Sequence, residues 1–162
     1  MTDKVLLTPA ELSTMLTQPD VVVIDTRNPA AYAAGHVPGA VNLHDIFTFL
    51  ATSTPEGIAE LRGKFAAAFG ASGLSGAETA VCYEESMNSG FGQSCRGYFL
   101  LKFLGYPKAM VLHGGFAAWK AAEMPVSTET PAVVAKTFPV TEAGNKMMLD
   151  VTTCWPWSAT IL

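Results

Sequence analysis

Residues 21–24 have the sequence VVVI, a run of β-branched residues with no polar residue on either face. A strand that is apolar on both faces is typical of a parallel sheet covered by helices. Three further short apolar runs, at 40–43, 79–83 and 109–112, follow it with helix signals between them. Strands and helices that alternate at this spacing predict an α/β fold with a mainly parallel sheet and helices on both faces.

The segments between these runs carry the expected helix signals. Thr8, Pro9 and Glu11 form the pattern of a capping box with proline in the first turn. Thr54 and Pro55 open a second helix with an apolar periodicity that continues to Gly70. Further helices are predicted at 29–34, 94–104 and 116–123.

Composition narrows the class of protein. With 162 residues, 49% hydrophobic and 15% charged, the chain is expected to form one domain with a substantial core. A net charge of −4 and the lack of a basic run argue against nucleic-acid binding. No segment resembles a signal peptide or a membrane span, so a cytoplasmic location is expected. Three cysteines without CxxC spacing suggest neither a disulfide framework nor a metal site.

The loop at 84–93 is the candidate site, because functional loops follow the carboxyl ends of parallel strands. Two cysteines flank this loop. Cys82 lies within a predicted strand and is expected to be a buried core residue. Cys95 lies in the first turn of the next helix beside Arg96, and both features would favour its thiolate. Cys95 is therefore a candidate nucleophile, with a packing role against the sheet as the alternative.

Two segments carry a family resemblance. DTRNPAAYAAGHVPGAVNL, at 25–43, resembles the first signature of the rhodanese homology domain, and VLHGGFAAWKAAEMPVS, at 111–127, resembles the second. The resemblance spans about 5–127 and implies a rhodanese-like fold with a central five-stranded, mainly parallel sheet. Catalytic members of that family transfer sulfur from thiosulfate or 3-mercaptopyruvate through a cysteine persulfide. No cofactor is implied, and the implied small-molecule partner is an anionic sulfur donor.

The sequence departs from the family at the reactive position, where Glu84 stands in place of the catalytic cysteine. The long acidic loop, and Arg96 before an aromatic pair, resemble the non-catalytic first half of tandem sulfurtransferases. In that half the residues matching Asp25 and His36 face the catalytic site of the other half. Asp25 and Arg27 have a simpler alternative role as a buried ion pair that orients the turn after residue 35.

The domain is predicted at 1–126, followed by a linker at 127–149. A short tail at 150–162, which contains Cys154, is a possible vestige of a second rhodanese-like domain. The leading hypothesis is a sulfurtransferase-type domain that is weak or inactive alone and is completed by a second such domain. One alternative is a non-catalytic binding or regulatory module that uses the loop and forms a homodimer through its tail. The other alternative is a single-domain sulfurtransferase that uses Cys95.

Overall fold

Five parallel strands form one sheet in the computed structural model, which describes residues 4–86 and 88–147. Their order across the sheet is β1-β5-β4-β2-β3, so β4 is the central strand and β2 lies next to it. The strands are β1 Leu6–Leu7, β2 Val21–Asp25, β3 Val41–Asn42, β4 Thr79–Tyr83 and β5 Ala109–Leu112. The fold is therefore the α/β architecture with a parallel sheet that the sequence predicts.

Helices connect the strands. They are α1 Pro9–Met15, α2 Pro29–Ala34, α3 Asp45–Thr48, α4 Pro55–Ala71, α5 Gln93–Phe103, α6 Gly115–Ala121 and a 3-10 helix at Glu142–Met147. Thr8 and Glu11 form the predicted capping box of α1, and Thr54 accepts the Gly57 amide at the start of α4. These caps satisfy backbone donors that a first helical turn leaves without partners.

Each face of the sheet carries its own apolar layer. On one face, Phe65 and Phe69 of α4 pack with Leu101 of α5, and all three are fully buried. On the other face, Leu12 of α1 and Trp119 of α6 are fully buried against the sheet. The Trp119 indole donates to Pro125 O at 2.7 Å. This two-sided burial explains why the run at 21–24 is apolar in both directions.

Strand β1 and helix α3 are additions to the elements that the sequence pattern predicts. Each has four residues or fewer, too short for a periodic signal. Backbone hydrogen bonds place β1 at the sheet edge, where Val111 N donates to Val5 O and His113 N donates to Leu7 O, both at 2.8 Å. The ends of the helices and strands that the sequence pattern predicts agree with the structure to within two residues, the usual variation at element ends.

Much of the segment predicted as a linker lies against the domain. Lys136 N donates to Gly70 O at 2.9 Å. The buried ring of Phe138 packs between Phe69 and Tyr106, at centroid distances of 5.5 and 5.1 Å. The predicted tail at 150–162 lies outside the described residues. None of the helices in the described ranges is long and apolar enough to cross a membrane.

Candidate functional site

The candidate site forms where β2 and β4 end side by side. Asp25 is the register partner of Tyr83, and Thr26 N donates to Tyr83 O at 3.0 Å just beyond the paired residues. Asp25 and Glu84 therefore emerge at the same carboxyl edge of the sheet, as the sequence predicts.

The Glu84 side chain turns into its own loop and is buried, with 1% of its surface exposed. Its carboxylate accepts a hydrogen bond from Gln93 N at 2.8 Å and another from Ser94 Oγ at 3.0 Å. Gln93 is the first residue of α5, and the N-cap position is Gly92, which has no side chain. The carboxylate of Glu84 thus serves as the anionic cap of that helix, where the helix dipole favours negative charge.

The loop closes tightly around this carboxylate. A β-carbon added at Gly90 would collide with the carboxylate and with Cγ of Glu84. The start of the loop is held by α6, because Phe116 N donates to Glu84 O at 2.8 Å and Ala117 N donates to Glu85 O at 2.9 Å. Gly115, with a φ of +64°, allows this approach, since a β-carbon there would meet both carbonyl oxygens.

Asp25 and Arg27 form a buried ion pair beside the loop. Arg27 Nε lies 3.1 Å from both Asp25 oxygens, and Nη2 lies 2.7 Å from Oδ2. The same guanidinium donates to Gly35 O at 2.7 Å and to Glu85 Oε2 at 2.8 Å, and it stacks on the ring of Phe116. Burial acts to lower the pKa of Arg27, but its bonds to the two carboxylates outweigh burial and raise it. The structure thus contains the ion pair and its contact to the turn after residue 35.

Tyr83 joins this pair to the turn. Its hydroxyl donates to Asp25 Oδ2 at 2.5 Å and accepts from Val37 N at 3.2 Å. Burial, together with the nearby negative charge of Asp25, raises the pKa of Tyr83 well above its usual range. No sequence pattern predicts this role for Tyr83, and its position directly before Glu84 at the end of a strand is the only available signal.

His36 is fully buried, and residues 127–129 cover it. Its ring stacks on Tyr32 with centroids 3.9 Å apart. Nδ1 lies 2.9 Å from Tyr32 O and Nε2 lies 3.1 Å from Glu129 O. In this structure His36 therefore faces a later part of its own chain.

The two cysteines in the described ranges differ in environment. Cys82 is buried in β4, and burial raises the pKa of its thiol to about 12. Cys95 is exposed, so the packing role predicted as its alternative is wrong. Ser94 and Gly97 are the buried residues of that part of α5, and a β-carbon at Gly97 would touch the Cys82 sulfur. Because side chains three apart share a helix face, Cys95 points away from that contact.

Arg96 binds the segment after α3. Its Nη2 donates to Phe49 O at 2.8 Å, which fixes α5 relative to that segment. Among the residues that the structure describes, no group of three or more histidine, cysteine or acidic side chains could hold a metal ion.

A cleft of about 500 Å³ opens beside the loop. Its lining includes Arg27, Glu85, Gln93 and the aromatic side chains of His44, Phe47 and Phe91, whereas neither Cys82 nor Cys95 lines it. Phe91 is 85% exposed and adopts a φ of +54°, which is unusual for a bulky residue. Its ring stacks loosely with that of Phe47 at a centroid distance of 6.4 Å. The cleft therefore combines a charged interior with an aromatic rim.

Comparisons with known proteins agree with this architecture. The sequence model of the rhodanese-like domain matches residues 8–122. Thiosulfate sulfurtransferase from Azotobacter vinelandii is 32% identical over 124 residues, 76% of this chain and 45% of the relative. Thiosulfate sulfurtransferase from Pseudomonas aeruginosa is 30% identical over 133 residues, 82% of this chain and 48% of the relative. The chain thus spans about half the length of these curated relatives.

Solved structures with the same fold include larger sulfur-transfer proteins. SseA from Escherichia coli, reported among the 3-mercaptopyruvate sulfotransferases, superposes with a TM-score of 0.68 at 20% identity, over 85% of this chain and 57% of that one. The 3-mercaptopyruvate sulfurtransferase from Leishmania major gives a TM-score of 0.65 at 24% identity, over 87% and 40% respectively. At these identities the likeness concerns the fold.

Proposed function

The chain belongs to the rhodanese-like domain family, and from that premise we propose that it is a sulfurtransferase-type domain without persulfide chemistry of its own. In this proposal it works as the non-catalytic partner of a second rhodanese-like domain that carries the reactive cysteine. The sulfur donor of the pair is thiosulfate or 3-mercaptopyruvate, the substrate classes that the names of its relatives indicate.

The buried Glu84 carboxylate is the observation that carries this proposal. It accepts hydrogen bonds from Gln93 N and Ser94 Oγ at the start of α5. In a catalytic loop, donors at such a helix N-terminus would stabilise a thiolate and an anionic substrate. A carboxylate that holds these donors has no sulfur atom on which a persulfide could form.

The charge around the loop acts in the same direction. Asp25, Glu84 and Glu85 supply three carboxylates. Arg27 pairs with Asp25 and Glu85, Lys120 pairs with Glu85, and Glu84 binds only uncharged donors. The local balance is negative, and burial strengthens its effect on any ion that enters. An anionic donor such as thiosulfate is therefore repelled, unless another domain contributes positive charge.

The comparison lengths favour a role as one part of a larger catalytic unit. The matching curated relatives are about twice as long as the region that this chain covers. The buried Asp25–Arg27 ion pair and the loop held at Glu84 supply rigid structure at the sheet edge. A rigid edge of this kind suits a surface that supports a neighbouring catalytic site.

Catalysis by Cys95 is the second candidate, since its thiol is exposed in the first turn of α5. Its side chain does not line the cleft beside the loop, so that cleft would not position a donor against it. A binding module is the third candidate, and the exposed Phe91 at the rim of the cleft favours it. A homodimer through the tail would involve residues outside the described ranges.

Persulfide mapping distinguishes these functions. The purified chain is incubated with thiosulfate, its cysteines are mapped by mass spectrometry for a gain of about 32 Da, and thiocyanate formation from cyanide is measured in parallel. We expect no stable adduct and no turnover above that of the Cys95→Ser variant. Turnover that Cys95→Ser abolishes would overturn the proposal and assign catalysis to Cys95. Full turnover in both proteins would also overturn it.

A further inference from the structure

The lysines of this protein are partnered unevenly. The contacts of six lysine side chains are described, those at positions 4, 64, 102, 108, 120 and 136, and four of these form ion pairs with carboxylates. These pairs are Lys4–Glu11, Lys64–Asp45, Lys120–Glu85 and Lys136–Glu78. Lys102 and Lys108 have no carboxylate partner among the described residues.

Both ammonium groups bind only neutral acceptors. Lys102 Nζ donates to Pro107 O at 2.8 Å, and Lys108 Nζ donates to Ala77 O at 3.0 Å. Each ammonium has three N–H donors, so donor capacity remains after these bonds. A backbone carbonyl orients an ammonium group but leaves its charge uncompensated.

Lys102 and Lys108 line the same cleft, which has a volume of about 520 Å³. The cleft lies at the amino ends of β4 and β5, where Thr79 and Ala109 begin these strands. It is therefore at the opposite edge of the sheet from the loop that contains Glu84. Its lining also includes the side chains of Tyr98, Met110, Val5 and Lys4, and no aspartate or glutamate of the described ranges contributes to it.

We propose that this cleft is a binding site for a small organic anion. The anionic group, a phosphate or a carboxylate, binds the free donors of Lys102 and Lys108 through charge-assisted hydrogen bonds. The body of the ligand is planar or apolar and packs on the ring of Tyr98 and the side chain of Met110. Lys4 lies at the same cleft but is neutralised by Glu11, so it adds little attraction.

This site is independent of the proposed sulfurtransferase role, because it shares no residue with the loop or the cleft beside Glu84. Its charge is opposite to that of the loop. The protein thus presents a negative region at one edge of its sheet and a positive cleft at the other. Anions are expected to bind at the positive edge alone.

Four probes test the proposal in NMR titrations of the full chain at low ionic strength. Phenyl phosphate and benzoate carry both a ring and an anionic group, inorganic phosphate lacks the ring, and phenol lacks the charge. We expect phenyl phosphate or benzoate to shift the amide signals around Tyr98, Lys102 and Lys108. The probe that binds more tightly shows whether the cleft prefers a phosphate or a carboxylate group. Inorganic phosphate cannot make the aromatic contact, and phenol cannot make the charge-assisted hydrogen bonds. Each should therefore bind at least about tenfold more weakly than the ring-bearing anions.

Variants assign the site to its residues. Lys108→Gln should weaken phenyl phosphate binding about tenfold. Lys64→Gln is the matched control and should leave binding unchanged, because Lys64 is paired with Asp45 outside the cleft. Lys102 also supports the backbone at Pro107, so Lys102→Arg, which keeps the charge and a donor, should retain binding while Lys102→Gln loses it.

Three results would overturn the inference. The first is the absence of any localised shift with either ring-bearing anion at millimolar concentration. The second is an equal loss of binding in Lys108→Gln and Lys64→Gln, which would indicate a general effect of net charge. The third is equal binding of inorganic phosphate and phenyl phosphate, which would remove the role of Tyr98. Each result leaves the sulfur-transfer experiment unaffected, so the two proposals fail separately.

Discussion

The carboxylate of Glu84 lies 2.8 Å from the backbone nitrogen of Gln93, so the first residue of the loop caps the helix that ends the loop. This bond closes the loop on itself and uses a donor at the start of α5. Because Ser94 Oγ also donates to this carboxylate, the buried charge has two partners within one helical turn. The loop is therefore held from within.

Replacing Glu84 should destabilise the domain. Glu84→Ala removes the cap and leaves two buried donors without an acceptor, which is expected to cost about 2–3 kcal/mol in the free energy of unfolding. Glu84→Gln keeps an acceptor oxygen and should cost less, about 1 kcal/mol. Urea unfolding measures both values, with the exposed Glu60→Gln as a control expected to change little. An unchanged stability in Glu84→Ala would contradict the capping role.

Gly90 provides a sharper test, because its φ lies outside the left-handed region and an alanine there is strained only by contact. In the wild-type protein, Gly90→Ala should destabilise the domain by about 2 kcal/mol, since its β-carbon collides with the Glu84 side chain. In the Glu84→Ala background the same change should cost much less. A double-mutant cycle by urea unfolding measures this coupling. Additive effects would show that Gly90 is needed for another reason.

The network around Asp25 predicts graded losses of stability. Asp25→Asn leaves the buried Arg27 charge without its main partner and should cost about 3–5 kcal/mol. Tyr83→Phe removes one hydroxyl that binds both Asp25 and the Val37 amide, and it should cost about 1–2 kcal/mol. Chemical denaturation gives both values, and the half-buried Tyr98→Phe serves as the control. Equal costs for the two tyrosine variants would argue against the bond to Asp25.

Acid should loosen the attachment of the segment after residue 127. Burial acts to raise the pKa of Glu78, but its bonds to Lys136 and Ser75 outweigh burial and lower it from 4.5 to about 2. A lowered pKa in the folded state means that the stabilisation is present above about pH 4.5 and is lost as the pH falls toward 2. Because Lys136 is 42% exposed and solvent screens its pair with Glu78, the stabilisation is worth about 1–2 kcal/mol.

Urea unfolding between pH 3 and 7 tests this dependence. Glu78→Gln should be less stable than the wild-type protein at neutral pH, and the difference between the two should shrink as the pH falls. A difference that stays constant over this range would show that Glu78 does not titrate as proposed. Glu60→Gln again provides the control for a change of surface charge.

The two described cysteines should react at different rates with a thiol reagent. In a Cys154→Ser background at pH 8, Cys95 should be labelled quickly because its side chain is exposed. Cys82 should be labelled only as the domain unfolds, because burial raises the pKa of its thiol to about 12. Mass spectrometry of partly labelled protein identifies the site. Rapid labelling that persists in Cys95→Ser would show that β4 opens more readily than its burial indicates.

The fold was predictable because its signals are local. The apolar run at 21–24 and the caps at Thr8 and Thr54 act within a few residues, so the sequence displays them directly. The site was predictable only in part. Asp25, Arg27 and Glu84 stand in recognisable motifs, but the bonds from Glu84 to Gln93 and Ser94 depend on how ten residues of loop close.

The segment after residue 127 shows a second limit. Its sequence, STETPAVVAK, lacks apolar periodicity and is typical of a linker. Its attachment depends on single long-range contacts, such as Phe138 against Phe69 and the Lys136–Glu78 ion pair. Isolated contacts of this kind leave no repeating pattern in a sequence. His36, which this segment covers, could not be placed for the same reason.

The internal cap formed by Glu84 also bears on how such a domain could evolve. The donors that hold the loop together are the ones that a reactive thiolate would require, so stability and catalysis compete for the same groups. A variant with cysteine at position 84 would begin with a less stable fold before any turnover was gained. Directed evolution toward activity should therefore succeed first in backgrounds that already carry stabilising changes elsewhere.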